Sequence, residues 1–437
     1  MKKLLALITF SLACQVQAGI VNIASSEDLF HALNNIKANT EILLAPGIYL
    51  GNFQVKTPVT INCQNQATLD GNHQKDTLRI IAENVVIKNC NILNWGDNLT
   101  DMNAGIFAEK TATNLKVDNN YFKGDTFGVW LDSTTGARII NNKVEGNLDI
   151  RSQDRGNGIH LFNVSDTLVE NNEVWHTRDG IYIDTSNKNE LIGNYLHNLR
   201  YGIHYMYSYS NLVKDNRTFN TRTAYALMQS KYLTVINNTS KNDTNYGILM
   251  NYISYSTIKG NKILNVHQQQ GPGGEQYISG AEGKAIFMYN APFNEVEGNL
   301  FKGGEIGIHL TAGSEGNNIY GNYFVQNKRQ VKYVANREVE WSHDGRGNFW
   351  SDYQGWDRNN DGIGDEPFEP NDGIDKVLWK YPAANVLINS PAIQTLKWVQ
   401  KEFPILKSQG IKDSYPLMKN DFSQSQSESN GVNLANN

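Results

Sequence analysis

Apolar residues alternate with polar ones in short segments along the middle of the chain. Residues 159–161 read Ile-His-Leu, residues 181–183 read Ile-Tyr-Ile, and residues 308–310 read Ile-His-Leu. A period of two is typical of β-strands, whereas a helix repeats its apolar positions every three or four residues. β-Branched and aromatic side chains are also enriched here, which counts against a helical repeat. The pattern therefore predicts many short strands.

These segments belong to a repeat in which a glycine or alanine is followed, at a fixed distance, by an asparagine. The distance is 14 residues for Gly128/Asn142, Gly158/Asn172, Gly180/Asn194, Gly202/Asn216, Ala224/Asn238, Gly247/Asn261 and Ala285/Asn299, and 15 for Gly105/Asn120 and Gly307/Asn322. The return to the next motif usually takes 8 residues, so the unit has 22. A period in this range is typical of a solenoid.

The repeat predicts an all-β fold, a right-handed parallel β-helix. A unit of two or three short strands cannot bury its apolar face alone and must stack on its neighbours. We expect each repeat asparagine to lie at a turn, with a left-handed backbone, and to hydrogen-bond to the asparagines above and below it. We expect the motif glycine to fit a tight bend.

The flanking segments divide the chain further. Residues 1–18 predict a Sec-type signal peptide, with cleavage after Ala18 and export of the mature protein. Residues 19–100 predict an N-terminal cap and first coils, 101–335 the regular β-helix, 336–419 a C-terminal cap, and 420–437 a polar tail. Within the cap, residues 390–403 predict a helix. The glycine-rich insertion 267–283 is the best candidate for a mobile, partner-binding segment.

Charge and cysteine content narrow the possible environments. Without Lys2 and Lys3, 37 basic residues face 44 acidic ones, a net charge near −7. This negative net charge argues against nucleic acid as a partner. Cys63 and Cys90 lie 27 residues apart, so one coil with a small insertion would stack them. A disulfide and a pair of buried thiols both fit this spacing.

Stacking the coils also predicts a copper site. If the residue after each motif position points inward, those two and four positions after it point outward. His160 and His204 then share one outer row, and Met206 and Met228 share the next, with Met250 a further 22 residues on. Imidazole with thioethers is a soft ligand set that suits Cu(I). Packing roles for these side chains are the alternative.

A second metal is predicted in the C-terminal cap. Oxygen ligands occur at alternate positions around Gly362, as in a Ca²⁺-binding loop. The predicted calcium ligands are Asp357, Asn359, Asp361, Ile363 and Asp365. The twelfth position is Phe368, so the last ligand of an EF-hand is missing. A metal-free turn rich in Asp, Asn and Gly is the alternative.

The chain resembles the NosD family in its repeats and, more specifically, in its C-terminal segments. Those segments are 347–353 (Gly-Asn-Phe-Trp-Ser-Asp-Tyr), the Asp-rich loop and residues 390–404. The resemblance implies a non-enzymatic periplasmic accessory protein for assembly of the copper-sulfur centres of nitrous oxide reductase. It implies three partners: an inner-membrane ABC transporter with ATPase and permease subunits, a copper chaperone, and the reductase itself.

The alternative from another class is a polysaccharide lyase, glycoside hydrolase or carbohydrate-binding protein, because fold alone does not fix function. Hydrolysis needs two carboxylates a few ångströms apart on the outer face. Asp132 and Asp184 point outward but lie at least two coils apart, and Asp179 with Asp184 near His204 is the remaining acid pair. The sequence therefore favours a binding role over catalysis.

Overall fold

A computed structural model describes residues 19–270, 282–311, 313–334, 337–371, 373–387, 390–403 and 410–422. The predicted signal peptide, most of the glycine-rich insertion and most of the polar tail lie outside these residues. The described chain is a parallel β-helix in which three sheets run along the length of the solenoid.

Each sheet takes one strand from nearly every coil, and neighbouring strands are parallel. Sheet A contains Ile20–Ile23, Thr40–Leu44, Val59–Asn62, Val86–Lys88, Lys116–Asp118, Arg138–Ile140, Leu168–Glu170, Glu190–Ile192, Leu212–Lys214, Thr234–Ile236, Thr257–Lys259, Glu295–Glu297 and Asn318–Tyr320. Sheet B contains Gly47–Leu50, Ala67–Asp70, Asn91–Leu93, Tyr121–Gly124, Lys143–Gly146, Glu173–Trp175, Tyr195–His197, Arg217–Phe219, Thr239–Lys241, Lys262–Leu264, Leu300–Lys302, Tyr323–Val325 and Phe349–Trp350. Sheet C contains Phe53–Val55, Leu78–Ile80, Ala104–Ala108, Phe127–Asp132, Ile159–Phe162, Asp179–Asp184, Tyr201–Met206, Thr223–Met228, Tyr246–Asn251, Lys284–Tyr289, Ile306–Thr311 and Arg329–Val334.

The chain passes through sheets C, A and B in that order in each coil. Inward side chains from the three sheets form one continuous core. Ile181, Ile203 and Ile248, each one residue after a motif position, are fully buried in it. The predicted inward direction of this position is thus confirmed. Complete coils begin at Thr40, within the segment 19–100 that was expected to hold the cap and the first coils.

An asparagine ladder fills the corner between sheets A and B. Each ladder residue accepts a hydrogen bond at Oδ1 from the backbone N–H of the previous one, at 2.9–3.1 Å. The ladder consists of Asn120, Asn142, Asn172, Asn194, Asn216, Asn238, Asn261, Asn299, Asn322 and Asn348. The predicted stacking of asparagines is confirmed.

Two details of the predicted turn chemistry are wrong. The left-handed backbone belongs to the residue before the ladder asparagine, for example Asn171 (φ 54°) and Gly193 (φ 66°). The motif glycine does not make a bend either. A Cβ added to Gly202 would lie 2.6 Å from the carbonyl oxygen of Ala224 on the next coil, so glycine is needed there for close packing of coils.

The N-terminal end is covered by helix α1, Ser26–Asn35. Ser25 caps it by accepting a hydrogen bond from the Asp28 amide at 3.1 Å. Leu29 and Leu33, one turn apart, are buried over the first coil, and each such side chain contributes about 1.5–3 kcal/mol. Nearby, Cys63 and Cys90 form a disulfide with Cα atoms 4.8 Å apart, which decides between the two alternatives left by the spacing.

The C-terminal region closes the other end. Asn348 extends the ladder, and Asp413 takes the position after it. Oδ2 of Asp413 accepts hydrogen bonds from the backbone N–H of Asn348 at 2.7 Å and from the indole N–H of Trp350 at 2.8 Å. Strands Val339–Glu340 and Ile411–Lys412 pair beside it. The segment 347–353 therefore forms the final turn of the solenoid and covers the C-terminal end of its core.

Three helical segments lie in the same region. They are α2 (Gly373–Lys380), a 3-10 helix (Pro382–Leu387) and α3 (Pro391–Glu402). Ser390 caps α3, in agreement with the predicted helix, but Leu396 and Phe403 on its expected apolar side are more than half exposed. Among the described residues, no helix has the length and apolarity needed to cross a membrane.

Candidate functional site

The candidate site lies on the outer face of sheet C, where strand pairing sets up rows of side chains. One row runs through Trp130, His160, Tyr182, His204, Ala226, Leu249, Phe287 and His309. The next outward row runs through Asp132, Phe162, Asp184 and Met206. The two rows predicted from the 22-residue period are therefore present, and His204 and Met206 lie on one strand.

His204 lies in a charged network with Asp179, which was expected near it only as part of an acid pair, and with Arg200, which no pattern predicted. Its Nδ1 lies 2.9 Å from Oδ2 of Asp179. The same carboxylate accepts from Nε and Nη2 of Arg200 at 2.8 and 2.6 Å. Burial opposes ionisation of Asp179, but hydrogen bonds from His204 and Arg200 outweigh it and hold the pKa of this carboxyl below its usual value.

This network leaves one ring nitrogen of His204 available. Because the Asp179 carboxylate accepts, the hydrogen bond requires a proton on Nδ1 of His204, so in the neutral imidazole the lone pair lies on Nε2. Nε2 is buried and has no hydrogen-bond partner. Metal-binding histidines commonly donate their other ring N–H to a carboxylate, which fixes the tautomer and raises the basicity of the ligating nitrogen. His204 has this arrangement.

Two methionines lie beside His204 on the same face. Met206 is two residues further along its strand, about 7 Å away at Cα, and is partly buried. Tyr205 pairs with Leu227 on the next coil, which places Met228 next to Met206. An imidazole and two thioethers thus lie on the same outer face of two neighbouring coils. Such side chains form a donor set that fits Cu(I) and disfavours calcium or magnesium.

Met250 lies in the core, away from this patch. It pairs with Leu227 and Met288, both inward residues, and is fully buried. The next outward residue after Met228 is Asn251. The repeat from Ala224 to Gly247 has one extra residue, which shifts the strand register by one position. The prediction that Met250 points outward, made from a 22-residue spacing, is therefore wrong. Met250 fills space in the core and is not brought to the patch.

His160 is on the predicted row but does not reach the patch. Tyr182 stands between it and His204, with ring centroids 4.6 and 4.5 Å away respectively. Trp130 covers the other side of His160 at 3.9 Å. Burial lowers the pKa of His160 to about 3, so it stays neutral. Two coils of separation, about 10 Å, keep His160 from sharing one ion with His204.

The predicted calcium loop turns its oxygens toward its own backbone. Asp357 accepts from the amides of Asp361 (3.1 Å) and Gly362 (2.9 Å), and Asp365 accepts from Arg358 at 2.8 Å. Asn359 donates to Asp361 at 2.8 Å, and Ile363 donates its amide to Asp361 at 2.8 Å. Across the described part of the chain, no three His, Cys, Asp or Glu side chains assemble as a metal site. Calcium binding stays a prediction.

The acid pairs considered for the lyase or hydrolase alternative are separated or already bound. Asp132 and Asp184 are two coils apart, with Phe162 between them in the row. Asp179 is almost fully buried in its contacts with Arg200 and His204. Neither arrangement provides two neighbouring carboxylates open to a sugar chain.

Asp179 and Arg200 could have been found from the sequence by aligning coils on the motif glycine. Asp179 is one residue before Gly180, and Arg200 two residues before Gly202, so stacking brings them close. The signal is only positional, since nothing in the local sequence shows that a carboxylate faces the histidine on the adjacent coil.

The fold defines a class: the chain is a parallel β-helix protein, with histidine and methionine side chains grouped on the outer face of sheet C. The profile of the family described as "Periplasmic copper-binding protein (NosD)" matches residues 140–355. A "Probable ABC transporter binding protein NosD" of Pseudomonas aeruginosa is 53% identical over 86% of this chain and 87% of its own length. Its counterpart in Stutzerimonas stutzeri is 52% identical over 86% of each chain. The chain belongs to the NosD family.

Solved structures support the fold. A surface adhesin of Streptococcus pneumoniae, PfbA, is similar with a TM-score of 0.51 and 13% identity, covering 70% of this chain and 87% of that one. The A-module of a mannuronan C-5 epimerase of Azotobacter vinelandii has a TM-score of 0.50 at 12% identity, covering 75% and 98%. At such identities the likeness concerns the β-helix alone.

Proposed function

We propose that this protein is a periplasmic copper-handling accessory protein that takes part in assembling the copper-sulfur centres of nitrous oxide reductase. In this proposal it carries Cu(I) transiently on the patch formed by His204, Met206 and Met228. The observation that carries the proposal is the buried Nε2 of His204, which has no hydrogen-bond partner. The ring is oriented by the Asp179 carboxylate on the face of sheet C that also carries Met206.

The chemistry of the patch suits transfer better than permanent storage. Soft neutral ligands select Cu(I), and the methionines are only partly buried, so an incoming ligand can reach the ion. Asp179 keeps the Nδ1 proton in place, and Arg200 compensates the buried carboxylate charge. The chain's own residues therefore orient one ring nitrogen, Nε2, for ligation when the imidazole is neutral.

The partners follow from the family. The relatives' name supports an association with an ABC transporter, here extended to its ATPase and permease subunits at the inner membrane. A copper chaperone as the source of the ion and nitrous oxide reductase as its destination complete the proposal. Export through the signal peptide of residues 1–18 belongs to it as well. We propose no catalytic activity.

The test is equilibrium Cu(I) binding by the apo-protein under reducing conditions. A variant with His204→Ala, Met206→Leu and Met228→Leu should bind Cu(I) at least tenfold more weakly than the wild type. Asp179→Asn should weaken binding by about 10-fold to 100-fold, the effect expected when a residue that orients a metal ligand is lost.

A matched control removes the same side-chain types elsewhere: His343→Ala, Met102→Leu and Met418→Leu. This control should bind Cu(I) as the wild type does. Equal affinity of the wild type and the patch variant would remove the patch as the copper site. Product release from pectate or alginate by the purified protein, abolished by Asp184→Ala, would favour the lyase or hydrolase alternative.

A further inference from the structure

The regular stacking of strands stops one coil earlier in sheet A than in the other two sheets. Sheet C continues to Arg329–Val334 and sheet B to Phe349–Trp350, but sheet A ends at Asn318–Tyr320. The segment of the last coil that would extend sheet A is Val339–Glu340, and it pairs instead with Ile411–Lys412 in a separate two-stranded sheet. Among the described residues, no strand therefore covers this edge of sheet A.

A cleft lies where the next strand of sheet A would be. Its volume is 520 Å³, and its lining comes from the last two coils, residues 310–319 and 333–341. This volume is within the range of about 300–1,000 Å³ that is typical of ligand-binding sites. The buried residues of the lining are apolar or aromatic: Leu310, Ile319, Tyr333 and Trp341. The cleft therefore offers an apolar floor to whatever enters it.

The exposed residues of the cleft are charged. Glu315 on one coil pairs with Arg337 on the next at 2.8 Å, and both side chains are more than half exposed. Glu338, also exposed, lines the cleft beside them. Exposed ion pairs are weak, because water competes for both partners. This pair between the two coils is thus no strong barrier to an incoming chain.

One polar group in the lining lacks a partner. Trp341 is fully buried and stacks on Trp350, with ring centroids 6.2 Å apart. The indole N–H of Trp350 donates to Asp413 at 2.8 Å, whereas the indole N–H of Trp341 has no hydrogen-bond partner. Buried donors are nearly always paired. Trp341 therefore indicates that the occupant of the cleft brings a hydrogen-bond acceptor.

An extended peptide matches these three features together. Its backbone can pair with the uncovered edge of Asn318–Tyr320, as in other cases where a peptide adds a strand to a sheet. Its alternate side chains can lie on the apolar floor, because they point to the same face of a strand. A backbone carbonyl can accept from the indole of Trp341. A small apolar molecule would leave the strand edge unpaired.

The chain itself contains a segment of this kind near its end. Residues 431–434 read Gly-Val-Asn-Leu, the same pattern as Gly-Val-Trp-Leu at 128–131 and Gly-Ile-His-Leu at 158–161. In the repeat, the second and fourth residues of this pattern point inward, and Ile159 and Leu161 are fully buried. The same alternation would direct Val432 and Leu434 to one face.

The last described residues bring this segment within reach of the cleft. Phe422 packs on Tyr323, with ring centroids 5.5 Å apart. Tyr323 is four residues after Ile319 in the chain, which limits their separation to about 14 Å. Gly431 is nine residues after Phe422, a length that spans up to about 30 Å when extended. The connection is therefore long enough.

We propose that residues 431–435 of this chain bind in the cleft between the last two coils as an added strand of sheet A. Val432 and Leu434 lie on the apolar floor, and a backbone carbonyl accepts from the indole of Trp341. The added strand covers an edge that would otherwise be open to pairing with other chains. It also ties the end of the chain to the last coil of the solenoid.

Disulfide trapping in the mature protein, from residue 19 onward, tests the location of the segment. Cys63 and Cys90 are already bonded to each other, so two added cysteines pair only with one another. Glu338→Cys with Ala435→Cys should form an intramolecular disulfide under mild oxidation. Glu190→Cys with Ala435→Cys is the matched control, because Glu190 is an exposed residue of sheet A, five strands or about 24 Å from the open edge. It should cross-link at least tenfold more slowly.

A second measurement tests the anchoring side chains. Val432→Asp with Leu434→Asp should slow cross-linking between positions 338 and 435 at least fivefold. Ser425→Asp with Ser427→Asp adds the same two charges to the same segment and should leave the rate unchanged.

The indole N–H resonance of Trp341 reports on the hydrogen bond directly. Trp341→Phe identifies this resonance in a ¹⁵N spectrum of the mature protein. The resonance should shift when Val432 and Leu434 are replaced by Asp, and should keep its position in the variant with the two serine replacements.

Each alternative gives a different result. Equal cross-linking rates at positions 338 and 190 would show that the segment does not bind in the cleft and would overturn the proposal. A disulfide that joins two chains in dilute solution would assign the cleft to a second copy, and the intramolecular strand would be wrong. An unchanged Trp341 resonance in the variant with Asp at 432 and 434 would contradict the hydrogen bond and the placement of the segment.

Discussion

Two corners of the solenoid make similar turns with different side chains. The corner between sheets A and B uses one residue type throughout, the ladder asparagine, from Asn120 to Asn348. The corner between sheets C and A varies from coil to coil, and one position in it is occupied in turn by Asn163, Thr185, Tyr207, Gln229, Tyr252 and Asn290. The first corner is buried and hydrogen-bonded, and the second is partly exposed.

The difference shows where each corner is constrained. A ladder asparagine pairs with backbone groups of two coils in a buried site, so a side chain without a matching donor and acceptor leaves buried polar groups unpaired. At the C-to-A corner buried serines such as Ser208 and Ser230 meet that need by accepting hydrogen bonds from the preceding coil. The outer positions are then free to vary.

The largest loss of stability is expected when a ladder asparagine is replaced. Asn216 accepts from the Asn194 amide and side chain and donates to the carbonyl oxygen of Leu191. Asn216→Ala should lower the free energy of unfolding by about 3–5 kcal/mol, because several buried partners lose their bonds at roughly 1–3 kcal/mol each. Urea denaturation measures this loss.

Lys214→Ala, two residues away and with a partly exposed side chain, is the matched control and should cost about 0.5 kcal/mol or less. A ladder variant as stable as the control would show that water replaces the amide, and that the buried corner is less constrained than its geometry indicates.

An intermediate effect concerns the third corner, between sheets B and C, where a carboxyl takes the inner position. Burial raises the pKa of Asp243 to about 6, against hydrogen bonds from Ser240 and Thr221 that act in the opposite direction. The protonated form is therefore favoured in the folded state. Its stabilising contribution is complete below the ordinary pKa of 3.8 and is lost as the pH rises through about 6.

Asp243→Asn should remove this pH dependence. Relative to wild type, the variant should gain roughly 2–3 kcal/mol of unfolding free energy between pH 4 and pH 7, at about 1.4 kcal/mol for each unit of pKa shift. Denaturation at a series of pH values gives the difference, and Glu190→Gln, at an exposed position, controls for the lost charge. A constant difference across this range would contradict the assignment.

The smallest effect is a gain in stability, expected for a substitution at the exposed corner between sheets C and A. Tyr252→Asn introduces the residue that Asn290 provides one coil further on. Relief of the left-handed strain outweighs the lost ring contact with Tyr289, so stability should stay equal or rise by about 0.5–1 kcal/mol. Thermal unfolding measures it. A loss above about 1 kcal/mol would mean that the tyrosine supports the turn.

The sequence was sufficient to predict the β-helix, the stacking of the ladder and the outward rows. These features repeat, and a repeat fixes both the register and the facing of every position within it. The same arithmetic placed His204, Met206 and Met228 on one face. It failed for Met250, where a single extra residue moved the side chain into the core, since in a strand a shift of one position reverses the facing.

What the sequence by itself determined is thus the periodic part of the molecule: the three sheets, the inward isoleucines and the asparagine corner. Only the tertiary structure showed that Asp179 and Arg200 hold His204, that Tyr182 separates His204 from His160, and that tyrosines of successive coils share one strained, exposed corner. The physical reason is that these contacts join side chains 21 to 25 residues apart. Their geometry depends on how neighbouring coils stack, which the period predicts for the backbone but not for individual side chains.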